Sequence, residues 1–252
     1  MPRRRADGHE PARPRRGAAP GGNAQDRLIR LLLQRLRLPP LLDPPPFPDP
    51  EEAATPEGLI GFTHGLTPEQ VVAAYRVGIF PMADQLDLVG WWSPNPRAVL
   101  ELDRVHVPRR LQRTIRAGRF EVRFDRACDR VIAGCAAREE TWISPRLAEV
   151  YLELHRRGVV HSVETWLDGQ LAGGLYGVHI GGAFMAESMF HLATDASKVA
   201  VVALVERLRA GGFALLDIQQ RTGATAIFQP RLLSRREYRD RLVPAVEQER
   251  RF

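Results

Sequence analysis

Residues 159–219 constrain the fold more than any other part of the chain. Val159–Trp166 is followed by Asp168-Gly169, a strong signal for a tight hairpin turn. A second run, Gln170–Val178, carries Gly173-Gly174, and glycines inside a strand mark a bulge or a close backbone approach. Gly181-Gly182 then turns the chain into Ala183–Phe190. Asp195 is a good N-cap for a helix whose apolar face is Val199, Val202, Leu204, Val205 and Leu208, and Gly211-Gly212 stops it. Phe213–Gln219 is nearly continuous in apolar residues, as a short buried strand should be. The order is therefore three strands, a helix and a fourth strand. Asp217 and Gln219, two apart on that last strand, share one face. Glu187 lies within Ala-Phe-Met-Ala-Glu-Ser-Met-Phe, and an acid among apolar residues is costly unless paired or used. The active site is expected around these three residues.

A chain of 252 residues with 44% hydrophobic content has room for one or two domains with a real core. It holds no run of about 18 apolar residues, so no membrane span is expected. Cys128 and Cys135 lie two helical turns apart, roughly 10 Å, which is too far for a disulfide. They read as core residues of a reduced, cytoplasmic protein. The net charge of +6 is unevenly spread. Residues 1–38 hold ten arginines against three acids, which leaves 26 basic and 27 acidic residues in the remainder. A nucleic-acid footprint on the body must therefore be a local patch.

Residues 1–45 read as a disordered Arg/Pro-rich tail, with leucines at helical spacing in Arg27–Arg37. A small N-terminal α/β domain is expected over 46–93, followed by the main domain over 94–252. Thr67-Pro68-Glu69-Gln70 is a helix start with N-cap, N1 proline and capping-box Gln. The adjacent Trp91 and Trp92 suit either a binding surface or a domain junction. Pro108–Gly118 predicts a short helix with Leu111 and Ile115 inward. Arg109, Arg110, Arg113 and Arg116, with Arg119 just beyond, read as a phosphate-gripping patch on an otherwise neutral body. Two further helices are expected over Asp125–Ala136 and from Ser144-Pro145 to Gly158. His155 and His161 read as structural. The chain carries no metal-binding motif, no P-loop and no serine nucleophile elbow.

Ordered motifs run along most of this chain: Ala-Tyr-Arg-Val-Gly-Ile-Phe-Pro (74–81), Trp-Trp-Ser-Pro-Asn-Pro-Arg-Ala-Val-Leu (91–100) and Thr-Trp-Ile-Ser-Pro (141–145). His-Ser-Val-Glu (161–164), Gly-Gly-Leu-Tyr-Gly-Val (173–178), Glu-Ser-Met-Phe (187–190), Ala-Ser-Lys (196–198) and Asp-x-Gln (217–219) continue them. The sequence resembles the leucyl/phenylalanyl-tRNA–protein transferase family over about Gly58–Leu242. The resemblance implies an α+β protein with an acetyltransferase-like (GNAT-like) C-terminal domain and a mixed sheet. It implies transfer of Leu or Phe from aminoacyl-tRNA to the N-terminal amine of a protein bearing Arg or Lys, in N-end-rule degradation. The ester is already activated, so no cofactor or metal is expected. A soluble monomer is expected, with the 3′ end and acceptor stem of the tRNA and a protein N-terminus as its partners. By resemblance Glu187 holds the incoming amine, while Asp217 polarises Gln219, which assists proton removal. Trp142, Tyr151 and Phe184 wall the terminal adenosine and amino-acid side chain, and Leu175, Leu204 and Leu208 line the side-chain pocket. Arg109, Arg110, Arg113, Arg116 and Arg119 hold the acceptor stem.

The chain departs from the family pattern at several places. Phe-Pro-Trp becomes Phe80-Pro81-Met82, with Trp91 expected to replace the missing aromatic. The family's His-x-x-Ser-Leu-Gly becomes Ala224-Thr225-Ala226-Ile227-Phe228-Gln229, next to the site. That change admits an alternative, a paralogue that transfers the aminoacyl group to a small-molecule or other amine. A non-catalytic RNA-binding relic fits worse, because it has no use for Glu187, Asp217 and Gln219 together.

Overall fold

The computed structural model describes residues 33–35, 39–43, 46–53, 55–83, 88–138 and 141–252. Most of the expected disordered tail over 1–45 and of the Arg27–Arg37 helix lies outside the described residues, but the expectation of disorder fails at its end: Leu33 and Leu41 are buried, and Leu41 bridges Phe62 of the first sheet. Two sheets form the framework. The first is antiparallel, in the order β1-β3-β2, from β1 (Leu59–His64), β2 (Phe80–Ala83) and β3 (Leu88–Trp92). Helix α1 (Pro68–Arg76) joins β1 to β2. Its start is set by the expected capping box: Gln70 N–H donates to Thr67 Oγ1 at 3.2 Å, and Thr67 N–H donates to Gln70 Oε1 at 3.0 Å.

The second sheet has seven strands in the order β10-β4-β9-β8-β7-β6-β5. They are β4 (Arg97–Leu100), β5 (Glu121–Phe124), β6 (Val160–Leu167), β7 (Gln170–Ile180), β8 (Ala183–His191), β9 (Leu215–Asp217) and β10 (Arg231–Leu233). The β8–β9 pair is parallel and the other pairs are antiparallel, so the class is α+β with a mixed sheet. Hairpins β6–β7 and β7–β8 turn at Asp168-Gly169 and Gly181-Gly182, as the turn residues required. Helix α5 (Ala196–Ala210) makes the crossover to β9. The other helices of eight or more residues are α2 (Arg109–Arg116), α3 (Cys128–Ala136), α4 (Pro145–Arg156) and α6 (Arg235–Val246).

Alternation along β7 builds two cores. Tyr176 and Val178 pack with α1, α3 and α4, together with Trp91 of the small sheet. Leu175 packs with Leu111 of α2 and with Val199, Leu204, Val205 and Leu208 of α5. Gly173 is where α5 docks on the sheet: a Cβ there would lie 2.8 Å from the Ala196 Cβ and 2.8 Å from the Phe190 carbonyl. Cys128 and Cys135 are free and buried, and burial pushes both thiols up to about 12. His155 bonds the Val160 carbonyl and His161 bonds Asp125, both at 2.8 Å.

Asp195 corrects one expectation. It sits at the N-cap of α5 but in the left-handed region, φ 70°, and its side chain caps no helix N–H. The carboxylate instead accepts from Lys198 at 3.1 Å and from the Thr114 hydroxyl at 3.5 Å.

Candidate active site

The site is built at the end of the β8–β9 pair, beneath a cavity of about 620 Å³. Across β7 and β8, Tyr176 faces Ser188 while the neighbouring Gly177 faces Ala186. Glu187 is thus the extra residue of a β-bulge, a device that re-aims a side chain. Gly177 makes the bulge possible, since a Cβ there would lie 2.4 Å from the Met185 carbonyl. The bulge turns Glu187 toward the cavity and toward α4.

Gln219 reaches Glu187 by a different route from the one expected. Strand β9 ends at Asp217, and Gln219 has φ 52°, so strand alternation does not carry their side chains to one face. Left-handed Gln219 swings its amide back over the sheet, where Nε2 donates to Glu187 Oε1 at 2.6 Å. On the other side, the Tyr151 hydroxyl donates to Glu187 Oε2 at 3.4 Å and lies 3.0 Å from the Tyr75 hydroxyl. Burial pushes the Glu187 carboxyl up to about 8. The Asp217 charge adds to that rise, while the tyrosine hydroxyls and Arg97 oppose it.

Asp217 lies behind this pair and outside the cavity lining. It is fully buried in an ion pair with Arg97, whose Nε donates at 3.0 and 3.1 Å and whose Nη2 donates at 2.6 Å. Tyr238 donates its hydroxyl to the same carboxylate at 2.8 Å. The Arg97 guanidinium is sandwiched between the rings of Phe80 and Tyr238 and reaches the Gly78 carbonyl at 3.2 Å. Burial alone would lower Arg97, but the charge of Asp217 outweighs it and the guanidinium is held protonated. Asp217 touches Gln219 through the backbone, accepting its N–H at 2.8 Å. In this geometry it fixes the left-handed turn and does not polarise the side-chain amide.

Among the expected wall residues, Trp142, Leu175 and Leu204 line the cavity, with Val201, Leu216 and Met189 completing an apolar slot. Four others do not line it. Trp91 is fully buried, with its indole N–H given to Thr63 Oγ1 at 2.9 Å and its ring edge-on to Phe47. It sits on the central strand of the small sheet and cannot replace the aromatic missing at Met82. Phe184 is buried and stacked on Phe252. Leu208 lies one turn beyond Leu204, inside the core of α5. Tyr151 reaches the site only through its hydroxyl. Thr222, Gly223, Ala224, Thr225 and Ile227 form one rim, which puts the altered segment on the cavity.

Arg109, Arg110, Arg113, Arg116 and Arg119 are all exposed, on α2 and just beyond it. Among the described residues none of them forms an ion pair. The Thr114–Asp195 contact ties α2 to the cavity mouth, because Asp195 lines it. Three residues of this arrangement went unmarked in the sequence: Arg97, Tyr75 and Tyr238. A signal existed for Arg97, since an arginine opening an apolar strand requires a buried acid, and Leu-Leu-Asp supplies one. Among the described residues no cluster of His, Cys, Asp or Glu is placed to hold a metal, and no helix is long and apolar enough to cross a membrane.

The family signature for leucyl/phenylalanyl-tRNA protein transferase matches residues 99–243, and that of its N-terminal domain matches residues 65–95. The chain belongs to this family. It is 53% identical over 182 residues to the leucyl/phenylalanyl-tRNA–protein transferase of Gloeobacter violaceus, spanning 72% of this chain and 94% of that one. The enzyme of the same name from Anaeromyxobacter sp. (strain K) is 48% identical, with 81% and 89% covered. That of Herpetosiphon aurantiacus is 50% identical, with 73% and 97% covered. Among solved structures, a ribosomal-protein-alanine N-acetyltransferase from Brucella melitensis is 12% identical with a TM-score of 0.33, over 41% of this chain and 82% of that one. A likeness that distant carries no argument.

Proposed function

We propose that this enzyme moves an apolar amino acid, Leu or Phe, from aminoacyl-tRNA to the N-terminal amine of a protein that begins with Arg or Lys. The observation that carries the reading is the Gln219–Glu187 contact of 2.6 Å beside the Leu175–Leu204–Leu216 slot. The slot accepts the apolar side chain of the donor. The carboxyl and amide then face the place where its ester carbonyl meets an amine.

The chemistry needs a neutral amine, and a terminal α-amine has a reference pKa near 8. Glu187, held near the same value, exchanges a proton with it at little cost, the condition under which a general base works well. The amine nitrogen attacks the ester carbon and gives up a proton to Glu187. The bond from that carbon to the ribose oxygen breaks, and Glu187 passes the same proton on to that oxygen, which leaves as the ribose hydroxyl. Gln219 orients Glu187, and Asp217 with Arg97 holds Gln219 in its left-handed turn. The exposed arginines of α2 and Arg119 grip the acceptor stem. The enzyme acts in N-end-rule degradation, as a soluble monomer in the cytoplasm. A small-molecule acceptor is the second reading, because Ala224 and Ile227, which replace the family's His and Ser, line the cavity.

The test is transfer of labelled Leu or Phe from charged tRNA to peptides beginning with Arg or Lys, beside Glu187→Gln and Gln219→Ala. Transfer that both variants abolish supports the proposal. Bound charged tRNA without transfer to any peptide would favour the small amine.

A further inference from the structure

Beside the catalytic cavity lies a second concavity of about 540 Å³. Buried Leu171 and Phe190 form its floor, and exposed Leu192, Arg130 and Arg138 stand around it. The two spaces are continuous, because Arg138, Met189 and His191 line both. Arg138 is anchored by donating from Nη2 to the Met189 carbonyl at 2.5 Å, and Arg130 lies over the Trp166 ring at 5.1 Å. Neither guanidinium has an acidic partner among the described residues. Glu139 and Glu140, next in sequence, lie outside them.

Both substrates must reach Glu187, and the two faces of the sheet divide the access between them. The donor's slot, Leu175, Leu204 and Leu216, belongs to the α5 face, where Thr114 of α2 meets Asp195 at the cavity mouth. Glu187 bonds Tyr151 of α4, on the opposite face. The second concavity opens on that opposite face, since Leu171 and Phe190 pack with α3 and α4. Met189, whose carbonyl holds Arg138, is two residues beyond Glu187, roughly 7 Å along a strand. That is the reach of the second or third residue of an extended acceptor whose amine sits at Glu187.

Resting on the proposed transfer to a protein N-terminus, we propose that this concavity is an acceptor subsite: it takes the residues that follow the N-terminal one and favours acidic side chains there. Selection then operates on more than the first residue of the acceptor.

The test is steady-state transfer from Phe-tRNA to three peptides that begin with Arg and continue with Asp-Glu, Ser-Ser or Lys-Lys. Two exposed ion pairs predict kcat/KM about three- to tenfold higher for Asp-Glu than for Ser-Ser, and Lys-Lys lower still. High salt should bring the ratios toward one. In Arg130→Gln/Arg138→Gln, checked for folding by thermal unfolding, the three peptides should become equal, and Arg138→Lys should keep the preference in part. Equal peptides in the wild type, or a preference that survives the double substitution, overturns the proposal. So does a raised KM for charged tRNA with the peptide ratios intact, which would give the concavity to RNA. No wild-type transfer to any of the three peptides sinks the parent reading first, and this one with it.

Discussion

Asp217→Ala separates the scaffold of this site from its chemistry. The carboxylate is fully buried and accepts from Arg97, Tyr238 and the Gln219 backbone N–H. Removing it strands the Arg97 charge, and breaking one side of a buried ion pair costs about 3–5 kcal/mol. The orphaned Tyr238 hydroxyl adds about 1–3 kcal/mol. Together these approach the whole stability of an ordinary domain, about 5–15 kcal/mol. At about 2–4 °C per kcal/mol for a domain of this size, the midpoint should fall by roughly 10–25 °C. The assay is thermal and urea unfolding run beside transfer. Gln219→Ala removes a hydrogen bond at the cavity surface, costs about 1 kcal/mol, and should lose transfer while staying folded. Arg97→Met should be as damaging to stability as Asp217→Ala. The double variant Arg97→Met/Asp217→Leu should recover about half of the loss, because no charge is left stranded. An Asp217→Ala protein that melts within about 3 °C of the wild type yet fails to transfer would refute this reasoning and return Asp217 to direct catalysis.

Two other outcomes are expected of the site. Glu187 is raised from 4.5 to about 8 in the folded protein, so folding takes up a proton between those values. Its contribution to stability is complete below pH 4.5 and lost as pH rises through 8, a change of about 2–4 kcal/mol once water in the cavity is allowed for. Glu187→Gln lacks that decline, so wild type and variant should diverge in urea unfolding between about pH 5 and pH 9; parallel profiles would show that the carboxyl is not raised. Replacing Arg109, Arg113 and Arg116 by Gln should weaken binding of charged tRNA and make its salt dependence shallower by about 2–3 in the logarithmic slope. A slope that did not move would remove the patch from donor binding.

The elements of the main sheet are legible in the sequence because their signals are local. Asp168-Gly169 and Gly181-Gly182 fix hairpins, and Thr67 and Ser144 fix helix starts through bonds three residues away. Side-chain direction is less legible. Glu187 sits where it does because of a bulge opposite Gly177, which depends on the pairing of two strands. The placement of Gln219 depends on a backbone N–H captured by Asp217, and so on Arg97, 120 residues earlier. Trp91 is easily misplaced because a tryptophan pair on a strand reads the same whichever of the two faces inward. Asp195 shows the same limit: its residue type suits an N-cap, but Lys198 and Thr114 compete for its carboxylate.

The altered rim segment indicates which part of the enzyme has changed. Phe228 stands where the family pattern has Leu, and it is fully buried in the α5 core. Gln229 stands where that pattern has Gly, and it keeps φ 54°, a conformation that glycine adopts freely and other residues adopt at a cost of about 1 kcal/mol. The segment therefore turns through a conformation that its own residue disfavours. The two remaining changed positions, Ala224 for His and Ile227 for Ser, are the ones that line the cavity. With Glu187, Gln219 and the apolar slot in place, the rim changes at Ala224 and Ile227 bear on the acceptor more than on the donor.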